Sequence, residues 1–153
     1  MDRTNSRGLW RYANEFHEAG IAVVTVKGRA STPAYYLVCH ALELALKAFL
    51  RGKGLSIAEL SNKKLGHNLS AILKRAELQG LSQYFSVSAG LRECIDLMNP
   101  YYSTKGLEYM TTGCKEYPEF NQLSSEVEKI ISGIEDFCVA NMKYHEGKST
   151  AIL

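Results

Sequence analysis

Apolar residues recur at three- and four-residue steps along nearly the whole chain, which is the period of amphipathic α-helices. Ser31-Thr32-Pro33 is a helix start, with a hydroxyl cap and a proline at the first helical position. Asn99-Pro100 is expected to end a helix. The predicted elements are a helix over about 5–27, a second from Pro33 to about Lys53, a short turn with a capping box at Ser56 and Glu59, a third from 66–68 to Gly80, a fourth over about 86–98, and a long last helix from Pro118.

These elements are joined by short connections, which predict an all-α, up-and-down bundle of about five helices. Residues 101–117 show no clean period and receive no assignment. The second helix is apolar nearly all round, so it is expected to be the buried central helix. The residues expected in the core are Leu42, Leu46, Phe49, Ile72, Ile130, Ile134 and Phe137.

The few polar residues of the second helix follow one another at steps of three and four, so they share one face: His40, Glu43, Lys47 and Arg51. Tyr36 lies close to the same line. One interpretation is a solvent-facing edge, in which Glu43 and Lys47 form a weak surface pair. A second interpretation is a polar groove, in which His40 and Glu43 face another polar cluster across the bundle. A dimer interface is the third.

His67 stands at the predicted start of the third helix. It could cap a free backbone amide there, or it could reach the stripe of His40 and Glu43. These three residues could hold a metal in principle, but no pair has the i,i+4 spacing of helical zinc ligands, so neither a metal nor a cofactor is predicted. The sequence also has no phosphate-binding loop, dinucleotide-binding glycine motif or nucleophile elbow.

Composition narrows the class of protein more than its activity. The chain has 153 residues, 46% hydrophobic and 22% charged, which excludes a disordered or coiled-coil protein and fits one domain, drawn at 1–146 with a tail at 147–153. A net charge of +2 does not suggest a dedicated duplex-binding protein. Residues 47–77 are basic and 105–136 acidic. The basic section could meet phosphates, or the two sections could help helices or protomers pair.

Cysteine usage and hydropathy bear on the compartment. The four cysteines include no CxxC pair, and Cys39 and Cys138 stand among apolar residues, as small core side chains do. The polar N-terminus shows no signal peptide, and no apolar stretch approaches the roughly 20 residues of a membrane span. We therefore expect a cytoplasmic protein with reduced thiols and no membrane partner.

Two segments carry a resemblance to a known family. Residues 35–50 (YYLVCHALELALKAFL) and 66–69 (GHNL) resemble the second and third helices of the HEPN superfamily, and 101–109 (YYSTKGLEY) resembles more loosely a segment before its last helix. The resemblance implies a helical bundle, often a homodimer, and in bacteria often a neighbour of a nucleotidyltransferase-like partner. Many members are metal-independent ribonucleases that act as toxins or defence effectors, and others are inactive binding modules.

The ribonucleases of that family carry an Arg-x4-6-His motif near the last helix, and here that helix has no arginine at the right distance from His145. One formal match, Arg11 to His17, lies on the first helix, at a frequency that chance allows. Glu108 stands where relatives often have arginine. The leading hypothesis is a non-catalytic HEPN-like module that binds a nucleotide, RNA or a protein partner. The residues proposed for it are His40, Glu43, Lys47 and His67, with Tyr36, Tyr101 and Tyr109 as lining.

Two alternatives stay open. One is a ribonuclease that uses Arg11 and His17, or residues brought together by dimerisation. A paired, exposed cleft that contains both Arg11 and His17 would favour it. The other is a structural homodimer without a ligand, which would be favoured by a fully solvated polar stripe.

Overall fold

The computed structural model describes residues 4–107 and 116–142, and in these ranges every regular element is helical. The all-α bundle predicted from the sequence is confirmed. The α-helices are α1 (Ser6–Lys27), α2 (Thr32–Gly52), the one-turn α3 (Ile57–Leu60), α4 (Leu69–Leu78), α5 (Ala89–Tyr102) and α6 (Phe120–Ala140), with a 3-10 turn at Leu81–Gln83.

Helix α2 runs through the centre of the bundle and packs against α1, α4 and α6. Every residue expected in the core is buried, as are Cys39 and Cys138. Gly20 allows α1 to approach α2 closely, because a Cβ atom at this position would lie 2.7 Å from Cγ2 of Val38. The apolar circumference of α2 thus has neighbours on most of its sides, as its sequence predicts.

Most helix starts follow the sequence signals. Asn5 caps α1 by accepting a hydrogen bond from the backbone N–H of Gly8 at 2.8 Å. Ser56 and Glu59 form the predicted capping box at α3. At α2 the position is right but the predicted hydroxyl cap is wrong: Ser31 stands at the N-cap, yet its buried hydroxyl makes no capping hydrogen bond.

Helix α5 departs from the prediction. It begins three residues later than expected and does not stop at Asn99-Pro100, since it continues through Pro100 to Tyr102. Proline removes one backbone donor, but near the end of a helix this loss is small enough for tertiary contacts to offset. Those contacts come from the side chains on either side of Pro100, because Asn99 bonds the start of α4 and Tyr102 bonds Glu43.

No helix in the described ranges is both long and apolar enough to cross a membrane. Several predictions fall outside these ranges and stay predictions. They are the limit of the domain at residue 146, the tail at 147–153, and the assignments made for Glu108 and Tyr109.

Candidate functional site

The polar residues of α2 do not form a solvent-facing edge. Glu43 is 3% exposed, and Lys47 and Arg51 are also buried. The Glu43 carboxylate accepts hydrogen bonds from Lys47 Nζ at 2.9 Å, Tyr102 Oη at 2.6 Å and His67 Nδ1 at 2.8 Å. We call these four residues together with His40 the Glu43 network.

The network joins three parts of the chain: α2, the end of α5 and the loop before α4. Lys47 reinforces the junction, since its ammonium also donates to the backbone carbonyl of Gly66 at 2.8 Å. A buried charge is tolerated when it is paired and further hydrogen-bonded, and Lys47 has both its ion pair with Glu43 and its hydrogen bond to Gly66. The groove interpretation of the sequence therefore describes the contacts of Glu43 and His67 better than the surface interpretation.

The Glu43 carboxyl is ionised at neutral pH. Burial alone would raise its pKa, but the charge of Lys47 and the hydrogen bonds from Tyr102, His67 and Lys47 outweigh burial and hold the pKa below its ordinary value. Burial and the Glu43 charge together raise the pKa of the Tyr102 phenol far above its usual range. The phenol therefore keeps its proton and donates it to Glu43.

An ionised carboxylate can only accept hydrogen bonds, and this fixes the roles of both histidines. His67 must carry its proton on Nδ1, which leaves Nε2 on the far side of the ring. Tyr102 Oη spends its proton on Glu43, so it accepts the hydrogen bond that joins it to His40 Nδ1 at 2.9 Å. Both imidazoles are thus oriented, directly or through a phenol, by one carboxylate.

Exposure separates the two histidines. The side chain of His67 is 47% exposed, whereas that of His40 is 21% exposed. The His40 ring stacks on Tyr36 at a centroid distance of 5.8 Å and packs edge-to-face with Phe16 at 4.6 Å. His67 is therefore the member of the network that is most open to solvent.

The Gly-His-Asn sequence before α4 has a distinct local task at each position. Gly66 has a φ of 45°, a left-handed conformation that glycine adopts without strain. His67 binds Glu43, and Asn68 caps α4 by accepting from the N–H of Ala71. From α5, Asn99 accepts from the N–H of Leu69 and donates to Asn68, which fixes the helix start against α5.

Arg51, the remaining member of the predicted stripe, has a structural role at the end of α2. Its guanidinium donates to the backbone carbonyls of Thr4 and Leu55. It therefore ties the start of the described chain to the end of α2.

The tyrosines proposed as lining separate in the structure. Tyr36 lies beside the network, in contact with His40 and with Tyr102. Tyr101 packs instead against Tyr117, and its hydroxyl accepts from the N–H of Glu116. Tyr109 lies outside the described residues. Of the two described tyrosines that were proposed as lining, Tyr36 is therefore the one in contact with residues of the network.

Sequence reasoning missed Tyr102, which supplies the shortest hydrogen bond to Glu43. The error followed from ending the fourth helix at Pro100. If the helical period is continued past Pro100, Tyr102 falls on the same face as Leu91, Ile95 and Met98, all of which are buried. The signal was therefore present in the spacing but was hidden by the proline rule.

Arg11 and His17, the alternative catalytic pair, do not share an exposed cleft within the protomer. Arg11 is exposed on α1, while His17 is 4% exposed and turned toward α6. His17 Nε2 lies 3.0 Å from the carbonyl oxygen and 3.1 Å from the hydroxyl of Ser124. His17 is a hydrogen-bonded core histidine, as its contacts with α6 show.

Two surface cavities of about 320 Å³ each lie away from the Glu43 network. One lies at the start of α1 and includes Arg7 and Arg11 in its lining, and the other lies between α4 and α5 and includes Lys74 and Arg92. Neither of these two cavities is lined by a residue of the network. Across residues 4–107 and 116–142, no cluster of three or more metal-ligating side chains has a geometry suited to a metal ion.

The chain matches no protein-family model, no curated protein and no solved structure in the three comparisons with known proteins.

Proposed function

We propose that this chain is a non-catalytic binding module of the HEPN-like kind and that it binds single-stranded RNA at the surface of the Glu43 network. The observation that carries the proposal is a difference in exposure between two side chains joined by one hydrogen bond. The Glu43 side chain is 3% exposed, and the His67 side chain is 47% exposed. A buried carboxylate with three donors is a fixed support for the ring that reaches solvent. Such preorganisation lowers the entropy cost of binding.

The exposure of His67 favours an extended ligand. Small molecules are usually bound in clefts that bury most of their surface, whereas the His67 side chain is 47% exposed and lines neither of the two cavities described above. A polymer strand can instead lie across an open surface. The half-buried ring of Tyr36, which lies at 7° to the ring of His40, offers an aromatic surface on which a base can stack.

The charge around His67 favours a phosphate backbone. Lys63 and Lys64 are exposed in the loop that ends at His67. By contrast, Lys47 is neutralised by Glu43, and Arg51 is used on backbone carbonyls. Lys63 and Lys64 are therefore exposed lysines of the basic section 47–77 that stand beside His67 in the sequence and can approach a phosphate from solvent.

The experiment is a titration of the full chain with a short unstructured RNA, followed by fluorescence anisotropy at several salt concentrations. We expect the affinity to fall with salt, and Lys63→Ala with Lys64→Ala to reduce the slope of log K against log salt by about 0.7 for each phosphate that these lysines neutralise. His67→Ala should weaken binding at every salt concentration. Lys27→Ala, on α1, is the matched control and should leave both affinity and slope unchanged.

Binding that responds equally to Lys27→Ala and to the loop variants would overturn the site, and the absence of RNA binding would overturn the ligand.

The nucleotidyltransferase-like protein implied by the family resemblance is the other occupant to consider. It would become the leading one if that protein bound the chain in a His67-dependent way while RNA did not. No observation favours a ribonuclease acting through Arg11 and His17.

A further inference from the structure

We propose that Nε2 of His67 accepts a phosphoryl group from donors of the phosphoramidate class, in which phosphorus is bonded to nitrogen. This inference does not depend on RNA binding. It concerns covalent chemistry at the exposed end of the Glu43 network, and it rests on the geometry of one histidine, one carboxylate and their surroundings.

The hydrogen bond to Glu43 makes Nε2 the nucleophilic atom of His67. Because Nδ1 donates its proton to Glu43 at 2.8 Å, the lone pair of the neutral ring stays on Nε2. The ring is 47% exposed, so a small donor in solution can reach it. A histidine with one nitrogen held by a carboxylate and the other open is suited to forming a covalent intermediate.

The carboxylate also stabilises the product. The Nε2 lone pair attacks phosphorus, the P–N bond of the donor breaks, and its electron pair leaves with ammonia when the donor is phosphoramidate itself. The ring keeps its proton on Nδ1 and becomes a phosphorylated imidazolium, so its new positive charge lies beside the Glu43 carboxylate. Charge and atoms balance, because the zwitterionic donor loses a cationic nitrogen while the ring gains one positive charge.

The other described histidines lack this combination. His17 is 4% exposed, and its Nε2 is in contact with both oxygens of Ser124. His40 Nδ1 is bonded to Tyr102 and lies farther from Glu43 Oε1, at 4.0 Å, and its ring is covered on two sides by Phe16 and Tyr36. Among the three histidines of residues 4–107 and 116–142, we therefore expect reaction at His67.

The loop before His67 assists the approach of the donor. Lys63 and Lys64 are exposed there, and their charge raises the local concentration of a phosphoryl anion. Glu43 carries the opposite charge, but it is buried and paired with Lys47, so it repels an incoming anion less than a free carboxylate would. The site thus combines a nucleophile, a cationic approach and a screened counter-ion.

The experiment incubates the full chain with potassium phosphoramidate and follows intact mass, with the modified residue mapped by tandem mass spectrometry without acid. We expect one phosphoryl group per chain, on His67, that is lost in acid and stable in alkali. His67→Ala should abolish it, while His145→Ala should leave it in place. Circular dichroism and thermal unfolding show whether each variant is folded.

The rate of labelling in Glu43→Gln distinguishes this site from a histidine that is merely exposed, because the reaction of such a histidine would not depend on Glu43. The substitution removes the charge that fixes the tautomer and stabilises the product, so labelling should slow by about an order of magnitude, comparable with the loss when the carboxylate partner of a metal-bound histidine is removed. Absence of labelling, labelling elsewhere, or an unchanged rate in Glu43→Gln would each overturn the proposal. Because mapping is done on the wild-type chain, the result stands even if a variant fails to fold.

Discussion

The chemistry of the Glu43 network rests on a few side chains whose meeting could be predicted only in part. The spacing of His40, Glu43 and Lys47 predicts a shared face, because helical geometry alone fixes that. What covers the face depends on tertiary contacts, so a solvated edge, a groove and a dimer interface were all compatible with the pattern. His67 was expected to reach the face as one of two alternatives, and its hydrogen bond to Glu43 at 2.8 Å decides between them.

At the residue scale we predict a large effect of Glu43→Gln on stability. The variant leaves the buried Lys47 ammonium without its counter-charge, so it should lower the free energy of unfolding by about 1–3 kcal/mol in urea titrations. The matched control is Glu77→Gln, which removes an exposed ion pair with Arg92 and should cost about 0.2–1 kcal/mol. Combining Glu43→Gln with His67→Ala should give a coupling above about 0.5 kcal/mol. Additive effects would show that the two residues are independent.

At the scale of elements, the long helices could be predicted well because their apolar periods and end signals agree. The differences arise where tertiary contacts outweigh a local rule. Pro100 does not end α5, since Asn99 and Tyr102 tie the last turn of that helix to α4 and α2. Ser31 occupies the N-cap of α2 without using its hydroxyl there. Neither outcome is encoded in the neighbouring residues alone.

The central position of α2 makes its own prediction. Leu46 is fully buried, so Leu46→Ala should lower the free energy of unfolding by about 2–5 kcal/mol, because apolar surface is no longer buried and a cavity is left behind. Leu78→Ala, at a position that is 74% exposed near the end of α4, is the control and should change stability by less than about 0.5 kcal/mol. Equal effects of the two substitutions in chemical denaturation would mean that α2 is not the core of the bundle.

At the scale of the whole molecule, the all-α bundle follows from periodicity, whereas assembly does not. The homodimer predicted from the family resemblance and from scattered aromatics stays a prediction. Of those aromatics, Trp10 is mostly occupied within the protomer, since its indole donates to the carbonyl of Ile131 at 2.7 Å. Tyr12 and Tyr84 remain exposed. Fewer exposed aromatic side chains are therefore left for a dimer interface than the sequence suggests.

Sedimentation velocity at micromolar protein tests the homodimer. The prediction is a species of twice 17.1 kDa whose population falls on dilution. A single species of 17.1 kDa over the whole concentration range would contradict it. That result would leave the Glu43 network untouched, because every contact of the network lies within one chain.

The central claim is that Glu43 fixes the proton of His67 on Nδ1. Nitrogen-15 chemical shifts of the imidazole, recorded at a pH where the ring is neutral, report directly which nitrogen carries the proton. The wild-type chain should show a protonated Nδ1 and an unprotonated Nε2 for His67, and Glu43→Gln should move the ring toward the Nε2–H tautomer that free histidine prefers. A His67 ring protonated mainly on Nε2 in the wild-type chain would contradict this claim.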